Sequence, residues 1–237
     1  RALIAREAAW AEALLESGRP LVERVPLRLS LVRVAEHGLA VDIGFLMDMS
    51  EFKRRQDQAE RLARVDALTG LWNRQGLDHE LLHALALLPH APGLLALLFI
   101  DLDGFKSIND RHGHRAGDEV LVEVGRRIRA NVRQADVVAR LGGDEFVVLL
   151  PGLPDLDAAT RVAGNIVAQV SARLALANGH AVRVGCSIGI ATAGRGRSVD
   201  PATLFAEADA AMYRAKTEGK GRYRIALPSS VCLTQTT

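Results

Sequence analysis

The sequence predicts an α+β fold, in which helices pack against one β-sheet. Apolar runs of strand length alternate with amphipathic stretches of helix length over most of the chain. Two of the strand-length runs follow each other directly and are joined by two glycines and two acids, as in a β-hairpin. The chain has 237 residues, 49% of them hydrophobic, which is enough for a packed core.

Residues 1–50 form a small α+β segment in this interpretation. Residues 7–17 are predicted to be helical, because an apolar spacing of helical period ends at a Gly-Arg-Pro sequence. Two strands follow, over residues 21–34 and 39–49. Residues 51–65 are polar with helical apolar spacing, so we interpret them as a helical linker.

Residues 66–227 form the main predicted domain, and residues 228–237 are a tail. The predicted elements in order are helix 75–88, strand 94–103, helix 117–133, hairpin 136–150, helix 156–176, strand 182–193, helix 201–217 and strand 222–227. The central order of strand, helix, two strands, helix and strand is the βαββαβ order of ferredoxin-like and polymerase-palm sheets with flanking helices. In such a sheet the first strand lies beside the hairpin.

The charge, the cysteine content and the apolar pattern argue against a nucleic-acid-binding protein, a disulfide-rich protein and a membrane-spanning segment. The formal net charge is +2, so no strong field favours nucleic acid as a partner. Two cysteines cannot form a disulfide framework, and a reducing cytoplasm fits this content. The longest apolar stretch, residues 81–100, is interrupted by two prolines and a glycine, which indicates a helix end, a loop and a strand. We therefore expect a cytoplasmic domain with no membrane segment in this chain.

The chain begins at Arg1 rather than at a methionine, and its first residues do not resemble a signal peptide. We interpret it as a piece of a longer protein. The missing upstream part could attach the full-length protein to a membrane.

An acidic hairpin tip is the first candidate functional feature. Residues 142–146 read Gly-Gly-Asp-Glu-Phe between two apolar runs. Gly142 and Gly143 allow positive φ and leave room for a bulky anion, because they have no Cβ. The neighbouring carboxylates of Asp144 and Glu145 repel each other, so a divalent cation would neutralise them. The alternative is a bare exposed turn.

A second acidic feature lies at the end of strand 94–103. Asp101 and Asp103 lie on the same side of this strand, and alone they could be solvated strand-end acids. Since the predicted sheet brings Asp101 near Asp144 and Glu145, three carboxylates converge and would hold Mg²⁺ or Mn²⁺. Such ions activate a hydroxyl and neutralise phosphate charge during in-line displacement.

Phosphate groups have two further candidate partners. The turn after the strand can cradle phosphate oxygens with its backbone N–H groups. These groups belong to Asp103, Gly104, Phe105 and Lys106. Lys216 and Lys220 are four residues apart and share one face if the last helix extends that far. Their alternative role is to complement the dipole at a helix C-terminus.

Five blocks of sequence carry a family resemblance. They are residues 66–74 (DALTGLWNR), 99–121, 142–146 (GGDEF), 187–191 (SIGIA) and 208–216 (ADAAMYRAK). On these blocks the chain, from about residue 60 to about residue 226, resembles the GGDEF family, the diguanylate cyclases. The resemblance implies a homodimer in which each of two facing domains binds one GTP. The two GTP molecules are then condensed to cyclic di-GMP, and two pyrophosphates are released.

The resemblance also implies which residues hold the metal and carry the reaction. The implied ligands are Asp101, the main-chain carbonyl of Leu102, and Asp144 or Glu145. Asp101, Asp144 and Glu145 form the implied catalytic set. We assign Glu145 as a metal ligand and Asp144 as a ligand or a base.

Guanine selection falls, by the same resemblance, to Asn109 and Asp118. Guanine presents N1–H and N2–H donors on one edge, which a carboxylate can accept as a pair. Adenine lacks this pair. The alternative is that Asn109 is a turn residue and Asp118 a helix cap.

Residues 133–136 read Arg-Gln-Ala-Asp shortly before the hairpin glycines. At this spacing Arg133 and Asp136 resemble the inhibitory site of the family, where the product cyclic di-GMP binds as a stacked dimer. Arginine suits phosphate and the Hoogsteen edge of guanine, and aspartate accepts from guanine N–H groups. In the family a second arginine from the following helix usually completes the site; here Asn165 stands where that arginine is expected, and Arg161 is nearby. The alternative is a salt-bridged helix end.

The N-terminal segment, residues 1–50, looks like the C-terminal half of a PAS sensor domain, mainly through its last strand and the Asp-Met-Ser-Glu-Phe-Lys sequence that follows. An α+β cap is the alternative. The linker 51–65 is then the expected signalling helix that pairs two chains.

Two other functions stay open. One is a catalytically silent GGDEF domain that binds GTP or cyclic di-GMP as a receptor, and the other is a palm-type mononucleotide cyclase. The hairpin sequence disfavours the mononucleotide cyclase. The intact motif positions favour the enzyme over the receptor.

Overall fold

The computed structural model describes residues 27–36, 39–52, 64–89, 92–194 and 199–227. The chain divides into two compact units, Arg1–Leu62 and Ala63–Thr237.

The first unit contains an antiparallel β-hairpin. Strand β1 (Leu27–Glu36) pairs with β2 (Leu39–Asp48) along its whole length. A helix begins at Ser50, whose N–H donates to Asp48 Oδ1 over 2.7 Å. The two predicted strands are therefore present, although β1 is described only from Leu27 onward. The predicted helix 7–17, the predicted tail 228–237 and most of the linker 51–65 lie outside the described residues.

The second unit contains five helices and seven strands among its described residues. They are α1 (Arg74–Leu87), β3 (Leu94–Asp103), α2 (Phe105–His112), α3 (His114–Ala130), β4 (Val137–Gly142), β5 (Glu145–Leu153), α4 (Leu156–Val170), β6 (Leu174–Ala175), β7 (Ala181–Val182), β8 (Gly185–Gly194), α5 (Pro201–Thr217) and β9 (Tyr223–Ile225).

Five strands form the main sheet in the order β4-β5-β3-β8-β9. All neighbours are antiparallel except β8 and β9, which are parallel. The first strand of the βαββαβ unit, β3, lies beside hairpin strand β5, as the sequence predicts. The α+β palm-like fold is confirmed.

Strand β3 is buried on both faces, which explains its unbroken apolar sequence. Its side chains at Ala96, Leu98 and Ile100 belong to the core beneath α3 and α4. The alternate side chains, from Leu95 to Phe99, belong to a second core beneath α1 and α5. Alternation along one strand thus produces two apolar layers, one on each face of the sheet.

The prediction for residues 104–133 was wrong in its boundaries. The structure has two helices, α2 and α3, where the sequence predicted a polar turn and then one helix over 117–133. Gly104 and Gly113 have φ of 81° and 83°, and they separate the helices from β3 and from each other. The turn predicted at residues 103–106 consequently runs from the end of β3 into the first turn of α2.

The predicted helix 156–176 ends at Val170. The guanidinium of Arg127 on α3 donates to the carbonyl oxygens of Gln169, Ala172 and Arg173 over 3.0, 2.7 and 3.1 Å. These bonds satisfy carbonyl groups that a longer helix would have used internally. The chain then forms the short β6–β7 hairpin, which the sequence prediction missed.

None of the helices in the described ranges combines the length and the apolar character that crossing a bilayer requires.

Candidate active site

Strand pairing places acidic residues together where β3 ends and β5 begins, and we call Asp101, Asp103, Asp144 and Glu145 the acidic edge. Asp101 near the end of β3 lies directly opposite Glu145 at the start of β5. The N–H of Leu102 donates to the carbonyl oxygen of Asp144 over 3.2 Å. The hairpin tip and the end of β3 are therefore fixed against each other, as the predicted sheet order requires.

Burial and mutual repulsion act on these carboxylates. Burial raises the pKa of Asp101, and the charges of Asp144 and Asp103 raise it further, although Lys216 opposes them. Burial also raises the pKa of Glu145, and Asp101, Asp144 and Asp209 add to the effect. Each carboxylate is thus harder to ionise because of its neighbours, and positive charge at this edge would relieve the repulsion.

Lys216 supplies part of that positive charge. Its Nζ lies 2.7 Å from Asp101 Oδ1, and the two side chains are 31% and 11% exposed. Helix α5 carries this lysine to the acidic edge because Gly189 on β8 lets the helix pack closely. A Cβ at Gly189 would lie 1.9 Å from the carbonyl oxygen of Ala208.

The donor set suits a hard divalent cation. Carboxylate and main-chain carbonyl oxygens are the ligands that Mg²⁺ and Mn²⁺ prefer. Within the described ranges, no three Asp, Glu, His or Cys side chains already surround a metal position. Lys216 instead neutralises Asp101, so the side chains at this edge need to rearrange for an ion to bind.

Arg140 holds the hairpin tip. Its Nε and Nη2 donate to the carbonyl oxygen of Gly143 over 3.1 and 2.9 Å, and its Nη1 lies 3.1 and 3.0 Å from the two carboxylate oxygens of Asp66. Burial tends to raise the pKa of Asp66, but hydrogen bonds from Thr69 and Arg140 lower it overall. The entrance turn of the second unit, residues 66–70, and the β4–β5 hairpin are therefore tied through one guanidinium.

The predicted phosphate turn opens helix α2. Gly104 is exposed with φ of 81°, Phe105 is buried in the core, and Lys106 is exposed. Phe105 thus anchors the turn while its neighbours face solvent. The side chain of Asp103 accepts hydrogen bonds from Ser187 and from the N–H of Gly221.

The predicted base-reading residues lie on adjacent helices. Asn109 is on α2, and its buried Oδ1 has no hydrogen-bond partner among the described residues. A Cβ at Gly117 of α3 would lie 1.8 Å from this oxygen, so any larger residue there would have to displace the side chain of Asn109. Asp118 is exposed. It is not the cap of α3, because Gly113 is the N-cap residue of that helix.

Lys216 and Lys220 lie in different local structures. Helix α5 ends at Thr217, so the two lysines do not share a helical face. Lys220 lies in the following turn with φ of 60°, between Gly219 and Gly221, whose φ values are 117° and 58°.

The predicted inhibitory residues border a cavity of about 490 Å³ between α3 and α4. Arg133, Asp136, Arg161 and Asn165 are among its lining residues. Asp136 is buried, and its Oδ2 accepts from the N–H of Arg133 over 2.7 Å. Burial raises the pKa of Asp136. Helix α4 therefore brings a second arginine, Arg161, to the cavity that contains the Arg-x-x-Asp sequence.

Several residues at the site were missed by sequence reasoning. Arg140, Asp209 and Arg74 had no assigned role, yet Arg140 holds the hairpin and the charges of the other two act on Glu145. Arg74 and Asp209 lie within the blocks of family resemblance, which was an available signal. The available signal for Arg140 was that a charged residue interrupts the apolar run before the glycines.

Comparison with known sequences identifies the same region. The family model described as "Diguanylate cyclase, GGDEF domain" matches residues 63–222. Diguanylate cyclase TpbB from Pseudomonas aeruginosa (strain UCBPP-PA14) is 43% identical over 205 residues, which cover 82% of this chain and 47% of TpbB. The chain thus spans about half the length of this relative.

Solved structures show the same fold. The crystal structure of the GGDEF domain of TpbB from Pseudomonas aeruginosa is 45% identical, with a TM-score of 0.65 over 68% of this chain and 99% of that one. The coiled coil and GGDEF domain of DgcB from Caulobacter crescentus, in complex with c-di-GMP, is 28% identical, with a TM-score of 0.69 over 75% of this chain and 93% of that one. Since the family model covers well over half of the chain and includes the whole acidic edge, the chain belongs to the GGDEF domain family of diguanylate cyclases.

Proposed function

We propose that this protein is a diguanylate cyclase that condenses two GTP molecules into cyclic di-GMP and two pyrophosphates. The observation that carries this proposal is the register of β3 and β5, which sets Asp101, three residues before the N-cap of helix α2 at Gly104, opposite Glu145. Carboxylates next to the first turn of a helix suit a metal-dependent transfer at a phosphate, because the first backbone N–H groups of a helix can bind phosphate oxygens. The membership of the GGDEF family supports this chemistry.

The proposed metal is Mg²⁺ or Mn²⁺, held by Asp101, the carbonyl of Leu102, and Glu145 or Asp144. When bound, the ion neutralises charge on the triphosphate and lowers the pKa of the attacking hydroxyl. Asp144 is the candidate base for the proton of that hydroxyl. Lys216 balances the charge of Asp101, and with a cation on that carboxylate its ammonium group would be available to phosphate oxygens.

Two domains are needed for the proposed reaction. The 3′-hydroxyl of each GTP attacks the α-phosphorus of the other, and each attack displaces one pyrophosphate. One acidic edge can hold one GTP in this scheme, so a homodimer must bring two edges face to face. The linker 51–65 is the proposed element that pairs the chains.

Guanine selection is assigned to Asn109 and Asp118. The buried Oδ1 of Asn109 is a hydrogen-bond acceptor without a partner among the described residues, which is costly unless a ligand donates to it. Asp118 is exposed on the next helix, α3, and its carboxylate can accept hydrogen bonds from the paired N–H groups of guanine. Adenine offers no such pair, so ATP is a poor substrate in this proposal.

The cavity between α3 and α4 is the proposed inhibitory site for cyclic di-GMP. Arg133 and Arg161 supply two guanidinium groups for phosphate and guanine, and Asp136 supplies an acceptor. Because Asp136 already accepts from the backbone of Arg133, ligand binding there has to share or replace that bond.

Incubation of the purified chain with GTP and Mg²⁺, followed by chromatography of the nucleotides, tests the proposal. We expect cyclic di-GMP and two pyrophosphates for each product molecule. Tight binding of GTP without turnover would contradict the enzyme and favour a receptor. Formation of cyclic GMP would contradict the two-domain scheme.

A further inference from the structure

The carboxylate of Asp103 is occupied by contacts within the protein. Ser187 Oγ on β8 donates to Asp103 Oδ1 over 2.9 Å and lies 3.1 Å from Oδ2. The backbone N–H of Gly221 donates to Oδ2 over 3.0 Å. Asp103 therefore links the end of β3 to β8 and to the turn that follows α5.

That turn has an unusual backbone. Residues 219–221 all have positive φ, and Lys220 is the only non-glycine residue with positive φ in the described part of the chain. Such a conformation is unfavourable for a lysine and persists only where surrounding contacts impose it.

Three hydrogen bonds impose this conformation. The N–H of Lys220 donates to the carbonyl oxygen of Ala215 over 3.0 Å, and its own carbonyl oxygen accepts from Arg222 Nε over 3.1 Å. Both of these bonds lie within the turn and the end of α5. The bond from Gly221 to Asp103 is the one of the three that joins the turn to the acidic edge.

We propose that Asp103 is a positioning residue, whose carboxylate holds the turn 219–221 so that Lys220 is presented to the triphosphate of GTP. The side chain of Asp103 thus acts through Gly221 rather than by touching the metal or the substrate. This inference rests on the proposed function for the role of Lys220. The link between Asp103 and the turn is itself independent of that function.

Trypsin cleavage after Lys220 tests the link without any activity assay. Asp103→Asn removes the charge and leaves one acceptor oxygen, so the N–H of Gly221 faces either an uncharged amide oxygen or the amide NH2 group. We expect the rate of cleavage between Lys220 and Gly221, identified by mass spectrometry, to rise about tenfold, because a hydrogen bond to a charged group then no longer restrains the turn. Ser187→Ala, which removes only the other partner, should give a smaller rise.

Asp155→Asn is the matched control, because this acid caps α4 away from the site and asparagine caps equally well. It should leave cleavage after Lys220 at the rate of the unsubstituted chain. An unchanged cleavage rate in Asp103→Asn would overturn the inference. Cyclic di-GMP synthesis is measured in a separate assay, so this outcome is distinguishable from failure of the proposed function.

A kinetic cycle tests the consequence for GTP. If Asp103 acts through Lys220, then Asp103→Asn should raise KM for GTP more than it lowers kcat, and it should have little further effect in a Lys220→Ala background. Effects that multiply in the double variant would overturn the inference. A changed Mg²⁺ requirement with normal trypsin cleavage would instead identify Asp103 as a metal ligand, and would also overturn it.

Discussion

At the scale of single residues, the acidic edge concentrates negative charge that nearby cations only partly balance. Asp101 and Glu145 both have raised pKa values, because burial and neighbouring carboxylates disfavour their charged forms. Lys216 compensates one of them directly. The remaining repulsion makes the edge ready to bind a divalent cation, at the expense of stability in its absence.

Mg²⁺ or Mn²⁺ should therefore raise the melting temperature, and the increase should shrink as the pH falls. Because the pKa values of Asp101 and Glu145 are both raised in the folded protein, these carboxyl groups hold their protons more tightly there than in the unfolded chain. The two groups therefore destabilise the fold as the pH rises through their pKa values, and a cation relieves this effect at neutral pH. At lower pH the proton competes with the cation.

Thermal unfolding at several pH values, with and without the ion, measures this effect. Glu145→Gln removes one of the charges and should show a smaller metal-induced increase at neutral pH. A metal-induced increase that grows toward acidic pH would contradict the assignment of these carboxylates.

Base recognition is also decided by single residues. Asp118→Ala should weaken GTP binding by about 1–3 kcal/mol, which is the usual discrimination from one bidentate base contact. Asp157→Ala, on an exposed position of α4, is the control and should bind GTP normally. Calorimetric titration measures the affinity of the original chain and of each variant for GTP and for ATP. Equal affinity of the original chain for the two nucleotides would show that Asn109 and Asp118 do not read the base.

At the scale of elements, the hairpin between β4 and β5 is held by a long-range contact as well as by its own pairing. Arg140 joins the carbonyl oxygen of Gly143 to the carboxylate of Asp66, and the two paired side chains are 11% and 20% exposed. The glycines at the tip give the backbone freedom to turn, and this guanidinium restricts that freedom. The orientation of Asp144 and Glu145 therefore depends on the entrance turn.

Arg140→Met should lower the free energy of unfolding by about 1–3 kcal/mol, because Asp66 and Gly143 each lose a charge-assisted hydrogen bond. Urea denaturation measures the change. Arg126→Met is the control, since Arg126 pairs with Glu123 on an exposed face of α3 and such pairs contribute little. If the two variants lose the same stability, the contact with the entrance turn is not what holds the hairpin.

The sequence was informative where local patterns determine the structure. Apolar runs and turn residues predicted the strands of the main sheet, and the βαββαβ order placed Asp101 beside Glu145. Patterns within one segment do not reveal partners from distant segments. The carbonyl groups at the end of α4 are bound by Arg127, more than forty residues earlier, and the turn that contains Lys220 is hydrogen-bonded to Asp103, more than one hundred residues earlier.

At the scale of the whole molecule, the proposed synthesis and its proposed inhibition occupy different parts of one domain. The acidic edge lies at the β3–β5 end of the main sheet, whereas the cavity with Arg133 and Arg161 lies between α3 and α4. Strand β4 begins one residue after Asp136 and leads to the hairpin glycines. Ligand bound in the cavity can therefore restrain the hairpin, or join two domains in an unproductive arrangement.

Arg133→Ala should weaken inhibition by added cyclic di-GMP by about tenfold or more, since a guanidinium contact to phosphate is a strong charge-assisted bond. Progress curves at several product concentrations measure this change. Arg115→Ala, at an exposed position of α3, should be inhibited like the original chain. If the same concentration of cyclic di-GMP inhibits the Arg133→Ala variant and the original chain equally, residues 133–136 are only a hydrogen-bonded helix end.

The most direct test of the central claim is the formation of cyclic di-GMP by Glu145→Gln, measured beside the original chain with GTP and Mg²⁺. This substitution keeps the shape of a partly exposed side chain and removes one charge from the metal site. We predict that product formation is abolished while the circular dichroism spectrum and the cooperative thermal unfolding are retained. Turnover near that of the original chain would contradict the assignment of the acidic edge as the reaction centre.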